Sequence, residues 1–286
     1  MTSWVGMFPG QGSQVPGMGM ELLEKYPKLL IDIFDDSLGW SLEDVINTGD
    51  AESIKKTNIA QPYIFAISYC YGLEAINKYG QASALIGHSL GEYTALAISG
   101  YFSFVDALKV ISVRGEAMQK SVENSNTGMA AVLTTDLGAT LKEITVLNSQ
   151  DIEVWISNYN DASQIVISSS IDNLEYLKSN PKALAAKRVI PLEVAGAFHS
   201  EIVSPAKPAL AEALDKVQIQ EGTIPVYMNV DASLATAETL KERLVNQIDS
   251  SVMFYDQILK IDNEIKPEEW IHIGPGNVTA GMVKKS

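Results

Sequence analysis

The sequence predicts a mixed α/β fold in which a large domain with a parallel sheet carries a small inserted domain. Apolar runs at 4–8 and 82–86 are each followed by a glycine-containing turn and then by a helix-like pattern. This alternation is typical of a parallel sheet covered by helices. The stretch 128–194 instead follows the order β-α-β-β-α-β, after which the α/β alternation resumes. The change of pattern indicates an insertion.

In the amino-terminal part, apolar runs and amphipathic spacing define the expected elements. The loop after the first strand contains four glycines between positions 10 and 19. Such a density indicates a backbone that must approach another group closely. Strands are predicted over 4–8 and 82–86, and helices over 20–30, 42–46, 62–79, 92–98 and 104–122.

The central part has the succession of the ferredoxin-like arrangement. Strands are predicted over 128–133, 154–158, 164–168 and 188–194, and helices over 137–147 and 171–177. We therefore assign residues 127–192 to a small domain and residues 1–126 and 193–286 to a large one. In the last part, helices are predicted over 205–214 and 237–247, and strands over 225–229 and 270–273.

Composition excludes several classes of partner. The 286 residues are 46% hydrophobic, enough for a sizeable core, and carry a net charge of −14. That charge argues against nucleic acid and an anionic membrane surface as partners. The single cysteine, Cys70, lies in an apolar stretch, excludes an internal disulfide and fits a reducing compartment. No apolar run approaches the ~20 residues of a membrane span, and no leader is evident. We expect a cytoplasmic protein and, by default, a monomer.

The segment Gly87-His88-Ser89-Leu90-Gly91 is the strongest chemical signal. A serine flanked by glycines between a strand and a helix is typical of a nucleophile elbow. Bulky neighbours would clash in so sharp a turn, and the following helix offers free N–H groups to a developing oxyanion. The alternative is a chance Gly-x-Ser-x-Gly match, which the strand-turn-helix context disfavours.

A serine nucleophile needs a base, and the chain has three histidines. His199 lies in a loop of small residues after a predicted strand, a good position for a functional imidazole. His88 is expected to support the turn, and His272 to be a core histidine. Asp161 and Asp172 follow the serine in the order of a triad, but both lie in the inserted domain. A Ser-His pair oriented by a backbone carbonyl therefore fits better.

Arg114 interrupts an apolar and small-residue face of the helix predicted over 104–122. Two interpretations remain open at this point. The guanidinium could lie in a pocket and bind a carboxylate through two hydrogen bonds. It could equally be a surface arginine paired with Glu116 or another acidic residue.

Together these residues resemble the malonyl-CoA:acyl carrier protein transacylase family. The resemblance runs in order through nearly the whole chain and rests on Phe8-Pro9-Gly10-Gln11-Gly12-Ser13-Gln14, Gln61-Pro62, Gly87 to Tyr93, Arg114, Asn158-Tyr159-Asn160 with Gln164, Gly196 to Ser200, Asn229-Val230-Asp231, Gln247 and Ile273-Gly274-Pro275-Gly276. The segment after Gln247 departs from the family, which usually continues with a proline and a basic-Trp pair. This departure suggests a divergent branch.

The resemblance implies the residues that react. Ser89 would be acylated, and His199 would act as general base and then as general acid. Backbone N–H groups of Gln11 and Leu90 would form the oxyanion hole. Arg114 would bind the free carboxylate of a malonyl group. No metal and no cofactor are implied, and the large domain would be α/β-hydrolase-like.

The resemblance also implies the surroundings of the reacting pair. Gln61, Asn158 and Phe198 would line the pocket, His88 would support the site, and a backbone carbonyl near Gln247 would orient the histidine. Malonyl-selective relatives carry a phenylalanine beside the histidine and an aliphatic residue after the serine. Phe198 would crowd an α-methyl group, which favours malonyl over methylmalonyl.

The implied reaction is ping-pong transfer of malonyl from malonyl-CoA to the phosphopantetheine thiol of an acyl carrier protein, free or within a polyketide synthase. The departure after Gln247 favours a discrete enzyme serving a modular polyketide synthase in trans over a fatty-acid enzyme. Two other functions remain open: an acyl hydrolase that clears carrier proteins, and a non-catalytic docking module. Because carrier proteins are usually acidic too, docking is expected at a local basic patch of Lys182, Lys187 and Arg188.

Overall fold

The computed structural model describes residues 3–286, and its strands form two separate sheets. The strands are β1 (Trp4–Phe8), β2 (Ala84–Gly87), β3 (Thr127–Leu133), β4 (Trp155–Asp161), β5 (Gln164–Ser170), β6 (Arg188–Pro191) and β7 (Glu269–His272). Strands β2, β1 and β7 form a parallel sheet in that order, whereas β4, β5, β3 and β6 form an antiparallel sheet in that order. The predicted α/β class, with a parallel sheet and a differently built central part, is confirmed.

Helices surround both sheets. They are α1 (Met20–Leu23), α2 (Phe34–Leu38), α3 (Leu42–Thr48), α4 (Thr57–Tyr79), α5 (Leu90–Ser99), α6 (Phe104–Val122), α7 (Leu137–Asn148), α8 (Ile171–Ser179), α9 (Lys207–Asp215), α10 (Leu240–Gln247), α11 (Phe254–Glu264) and α12 (Val278–Val283). A π-helix spans Lys28–Ile33, and 3₁₀-helices span Ser53–Lys55, Pro181–Leu184 and Glu201–Ala206. Within residues 3–286, no helix combines the length and apolarity needed to cross a membrane.

The parallel sheet brings two loops to one edge. Phe8 at the end of β1 pairs with Gly87 at the end of β2. All of β1 is buried, as expected for a parallel strand covered by helices on both faces. The glycine-containing loop after β1 and the turn after β2 therefore meet at the carboxyl ends of the strands, where parallel α/β sheets bind their ligands.

Helix α6 coincides with the prediction over 104–122. Its start is capped by the Ser103 hydroxyl, which accepts a hydrogen bond from the Asp106 amide at 3.0 Å. Val110, Ile111 and Arg114 are all buried. The helix thereby carries Arg114 into the interior rather than to the surface.

Several predicted elements need correction. The helix predicted over 20–30 is interrupted before Pro27, because proline cannot donate a backbone hydrogen bond and restricts the preceding residue. Helix α4 begins at Thr57 and runs through Pro62, earlier than predicted. The strand predicted over 225–229 is wrong: this segment makes two isolated bridges, a parallel one from Val226 to Leu85 and an antiparallel one from Tyr227 to Leu234.

Two helices near the carboxyl terminus were not predicted. Helix α11 buries Phe254, Ile258 and Ile261, whose spacing is that of an amphipathic helix. Helix α12 is short, and Thr279 and Met282 are its buried residues. The signal for α11 was therefore present in the sequence, whereas α12 offered too few turns to be recognised.

The antiparallel sheet has the predicted succession β3-α7-β4-β5-α8-β6. Its buried apolar residues, Ala130, Val132, Ile165 and Ile167 among them, form a cluster distinct from that around the parallel sheet. The last strand ends at Pro191, earlier than expected. Strand β4 is joined to the rest of the chain where the Tyr159 amide donates to the Val252 carbonyl at 2.9 Å.

Candidate active site

Ser89 lies at the sharp turn between β2 and α5, and its backbone is strained. Its φ of 52° and ψ of −106° lie in a region that residues other than glycine rarely adopt. A Cβ atom on Gly87 would lie 1.9 Å from the carbonyl carbon of Gly91, and one on Gly91 would lie 2.2 Å from the Phe8 carbonyl oxygen. Because these neighbours are backbone atoms, both positions require glycine. The turn has the geometry expected of a nucleophile elbow.

His199 lies against the serine. Its Nε2 atom is 2.8 Å from the Ser89 hydroxyl oxygen, and its Nδ1 atom is 2.9 Å from the backbone carbonyl oxygen of Gln247. Since a carbonyl oxygen only accepts, Nδ1 carries the proton, and the Nε2 lone pair faces the hydroxyl. His199 also has a positive φ of 56°. Both members of the pair are therefore fixed by unusual backbone conformations.

The surroundings of His199 favour its neutral form. Burial lowers its pKa to about 3, and the positive charge of Arg114 acts in the same direction. A neutral imidazole is the form that accepts a proton. Neither aspartate considered for a triad contacts it: Asp161 accepts hydrogen bonds from Ser163, and Asp172 lies in the first turn of α8. Within residues 3–286, a backbone carbonyl takes the orienting position.

Arg114 is fully buried at 0% exposure, so its interpretation as a surface residue paired with Glu116 is wrong. One guanidinium nitrogen, Nη1, donates to the Gln61 side-chain oxygen at 2.7 Å. The other, Nη2, donates to the Gln247 side-chain oxygen at 2.9 Å and to the Ser89 hydroxyl at 3.1 Å. Among the residues that the structure describes, no carboxylate pairs with it. A buried cation without a counter-ion is available to an anionic ligand.

A hydrogen-bond network behind the elbow was not predicted. The Gln247 side-chain nitrogen donates to the Ser89 carbonyl at 3.0 Å, to the Glu92 carboxylate at 2.6 Å and to the Asn229 side-chain oxygen at 3.2 Å. Asn229 accepts from the Ser89 amide at 2.9 Å and donates to the Gly87 carbonyl at 2.7 Å. Burial raises the pKa of Glu92, whereas the Asn229 amide bond and the charges of Arg243 and Arg114 oppose that rise.

Nothing in the sequence indicates these contacts. Glu92 and Asn229 are far apart in the chain, and no sequence pattern predicts that they are in contact. Both nevertheless lie inside the motifs that carry the family resemblance. For Gln247 only a backbone role was expected. Its side chain contacts more of the site than its backbone does.

The amides of Gln11 and Leu90 are free to bind an oxyanion. Neither has a hydrogen-bond partner among the described residues. Leu90 is the first residue of α5, where helix N–H groups have no intrahelical acceptor. The neighbouring Ser89 amide is already engaged by Asn229. The Gln11 side chain donates to the Thr57 hydroxyl at 3.2 Å, which fixes the loop after β1 beside the elbow.

A cavity of about 510 Å³ opens onto Ser89 and His199. Gln61, Asn158 and Phe198 lie in its wall, as the resemblance implied, together with the two oxyanion-hole candidates and Arg114. Gln247 lies outside this wall, behind the serine. The cavity is large enough for the acyl end of a thioester substrate.

His88 lines the same cavity but does not contact the serine hydroxyl. Its Nε2 atom is 2.9 Å from the Asn160 side-chain oxygen, and its ring packs 5.4 Å from that of Phe254. Further out, the ammonium group of Lys55 lies 2.7 Å from the Glu193 carboxylate, and both side chains are exposed. Both residues belong to the cavity lining.

The remaining titratable candidates lie away from this chemistry. His272 is half-buried rather than in the core, and hydrogen-bonds to Thr279 at 2.6 Å and to the Pro275 carbonyl at 3.2 Å. Cys70 is fully buried, which raises its thiol pKa to about 12, and fits a packing role. Among residues 3–286, no three His, Cys, Asp or Glu side chains are grouped as metal ligands.

Comparison with known proteins identifies the family that this chain resembles. The acyl transferase domain family matches residues 5–285. The malonyl CoA-acyl carrier protein transacylase of Bacillus subtilis (strain 168) is 41% identical over 284 residues, 98% of this chain and 89% of that relative. The polyketide biosynthesis malonyl CoA-acyl carrier protein transacylase PksC of the same organism is 34% identical over 281 residues, 98% of this chain and 95% of PksC.

A solved structure matches over nearly the whole chain as well. A malonyl-transacylase in complex with its type II PKS acyl-carrier protein superposes with a TM-score of 0.91 at 30% identity, over 99% of this chain and 93% of that one. The resemblance predicted from the sequence motifs is confirmed. With a family match over nearly its full length, this chain belongs to the acyl transferase domain family.

Proposed function

We propose that this protein transfers a malonyl group from malonyl-CoA to the phosphopantetheine thiol of an acyl carrier protein through a Ser89 acyl-enzyme. One observation carries the proposal. The Ser89 hydroxyl lies 2.8 Å from the His199 base and 3.1 Å from the Arg114 guanidinium. A nucleophile placed between a base and a buried cation suits an acyl donor that carries a free carboxylate.

The first half-reaction loads the enzyme. The Ser89 oxygen attacks the thioester carbonyl carbon while its proton passes to His199 Nε2. The carbonyl oxygen becomes an oxyanion that the amides of Gln11 and Leu90 stabilise. When the carbon-sulfur bond breaks, His199 returns the proton to the leaving thiolate, and free CoA departs.

The second half-reaction transfers the malonyl group from the enzyme to the carrier protein. The carrier thiol gives its proton to His199 and attacks the ester carbonyl of malonyl-Ser89. The same two amides stabilise the second oxyanion, and Ser89 recovers its proton as the ester bond breaks. The Gln247 carbonyl stabilises the imidazolium in both directions, because it accepts from Nδ1 throughout.

Selectivity for malonyl is proposed to come from two side chains. Arg114 provides a guanidinium already aimed at the serine, and a charge-assisted hydrogen bond to a carboxylate is worth about 1.5–3 kcal/mol. Phe198 lies in the cavity wall beside His199 and limits the space for an α-methyl group. Acetyl lacks the carboxylate, and methylmalonyl carries the extra methyl.

The acceptor is an acyl carrier protein, the partner for which the relatives above are named. Relatives named with and without a polyketide pathway both match, so the preference for a polyketide synthase drawn from residues 248–254 stays a prediction. Lys182, Lys187 and Arg188 are all exposed and remain the proposed local patch on a chain of net charge −14.

We also propose the finer description of the fold. The antiparallel order β4-β5-β3-β6 with its two helices supports a ferredoxin-like domain over 127–192. The parallel sheet, with an elbow after β2, supports an α/β-hydrolase-like domain over 1–126 and 193–286. Residues of both parts line the cavity, which supports a substrate site shared between them.

Intact-protein mass spectrometry tests the proposal. The protein is mixed with malonyl-CoA and then with a phosphopantetheinylated carrier protein. A malonyl adduct that persists in water and moves to the carrier is the expected result. An adduct that disappears without reaching the carrier would instead indicate the acyl hydrolase, and no adduct would favour a docking module. A carrier without phosphopantetheine is the matched control and should stay unmodified.

A further inference from the structure

Glu92 is a buried carboxylate that the reaction above does not use. It lies in the first turn of α5 at 0% exposure. One of its oxygens accepts from the Asn229 amide, and the other accepts from the Gln247 side chain at 2.6 Å. Among residues 3–286, no cation hydrogen-bonds to it. A buried carboxyl group is costly unless it is hydrogen-bonded, and both bonds of Glu92 go to residues of the site, so its place behind the nucleophile calls for a function.

The contact with Glu92 fixes the orientation of the Gln247 amide. The Gln247 nitrogen faces three acceptors, of which the Glu92 oxygen is the nearest, and its oxygen faces the Arg114 guanidinium at 2.9 Å. A guanidinium only donates, and both oxygens of Glu92 accept hydrogen bonds here. A flipped amide would therefore place donor against donor at Arg114 and would remove the N–H group whose hydrogen bond Glu92 accepts.

The amide also separates the Glu92 carboxyl group from the Arg114 guanidinium. A direct contact between Glu92 and Arg114 would neutralise the guanidinium. With Gln247 between them, Arg114 donates to two neutral amide oxygens, those of Gln61 and Gln247, and to the Ser89 hydroxyl. Its charge therefore remains available for a carboxylate on the substrate.

We propose that Glu92 is a positioning residue that acts through the Gln247 amide on Arg114 and on the nucleophile elbow, and that it thereby sets the preference for acyl groups bearing a carboxylate. This inference rests on the proposed function. It assigns selectivity to a side chain that does not line the cavity.

The test is Glu92→Gln, which keeps the shape but replaces one acceptor with a donor. That donor must face either the Asn229 amide or the Gln247 amide, donor against donor. The malonyl-to-acetyl ratio of kcat/KM is expected to fall by about tenfold or more. Thr94→Val is the matched control, because Thr94 is buried on the same helix and its hydroxyl has no partner among the described residues. It should keep the wild-type ratio.

The outcomes separate the inference from the function on which it rests. If wild type and Thr94→Val transfer no malonyl, the proposed function itself is wrong. If they transfer malonyl and Glu92→Gln keeps their malonyl-to-acetyl ratio, even at lower rates, Glu92 is only structural and the inference is overturned. Should Glu92→Gln not fold, Glu92→Asp decides, since it keeps both acceptor oxygens but withdraws them from the Gln247 side-chain nitrogen. Loss of the malonyl preference supports the inference, and its retention overturns it.

Discussion

Replacing Arg114 with alanine should reduce the selectivity of the enzyme more than its general activity. The guanidinium donates three hydrogen bonds, two of them to side-chain amide oxygens and one to the Ser89 hydroxyl. Its removal leaves the Gln61 and Gln247 oxygens without this donor, which costs activity for every acyl group. Only malonyl also loses a charge-assisted bond of about 1.5–3 kcal/mol. The malonyl-to-acetyl ratio should therefore fall by roughly 10–150-fold.

The assay measures initial transfer rates from malonyl-CoA and acetyl-CoA to one carrier protein. The ratio of kcat/KM values cancels any loss common to both donors. Arg114→Lys is the matched variant: it keeps the charge but not the planar fork, so its ratio should lie between wild type and Arg114→Ala. An equal loss for both acyl groups in Arg114→Ala would refute the carboxylate assignment.

Three further changes test the packing, the base and the pocket. Gly91→Ala places a Cβ 2.2 Å from the Phe8 carbonyl oxygen and should lower the free energy of unfolding, measured in urea, by about 3 kcal/mol or more. Gly281→Ala is the control, because its Cβ meets nothing within 4 Å, and it should not lower the free energy of unfolding. The rate of enzyme acylation should change less than about twofold from about pH 7.5 to about pH 5.5. Burial chiefly lowers the pKa of His199 to about 3, so the imidazole stays neutral over this range. An inflection of the rate near the ordinary histidine pKa of about 6.5 would contradict this. Phe198→Ala should raise methylmalonyl transfer relative to malonyl by about tenfold, and an unchanged ratio would exclude Phe198 as the crowding residue.

The sequence predicted those features whose residue types are dictated by the local backbone geometry or by the local hydrophobic pattern. The elbow at 87–91 could be predicted because glycine is required on both sides of so tight a turn. His199 could be chosen among three histidines because only it lies in a loop of small residues. The helix over 104–122 could be placed from its amphipathic periodicity.

The rest depended on contacts between distant parts of the chain. Whether Arg114 is buried cannot be read from its helix alone, since the answer depends on Gln61 and Gln247, which lie on other helices. The Glu92 contacts join α5 to segments more than a hundred residues away. The segment over 225–229 has the composition of a strand, but it meets β2 at a single bridge.

The identity of the acylated residue is the central claim, and peptide mapping of the malonyl adduct tests it most directly. The wild-type protein is mixed with malonyl-CoA, quenched, digested and analysed by tandem mass spectrometry, with Ser89→Ala treated in parallel. The malonyl group should map to Ser89, and Ser89→Ala should show no adduct while remaining folded. A malonylated Ser89→Ala protein, or an adduct on another residue of the wild type, would contradict the mechanism.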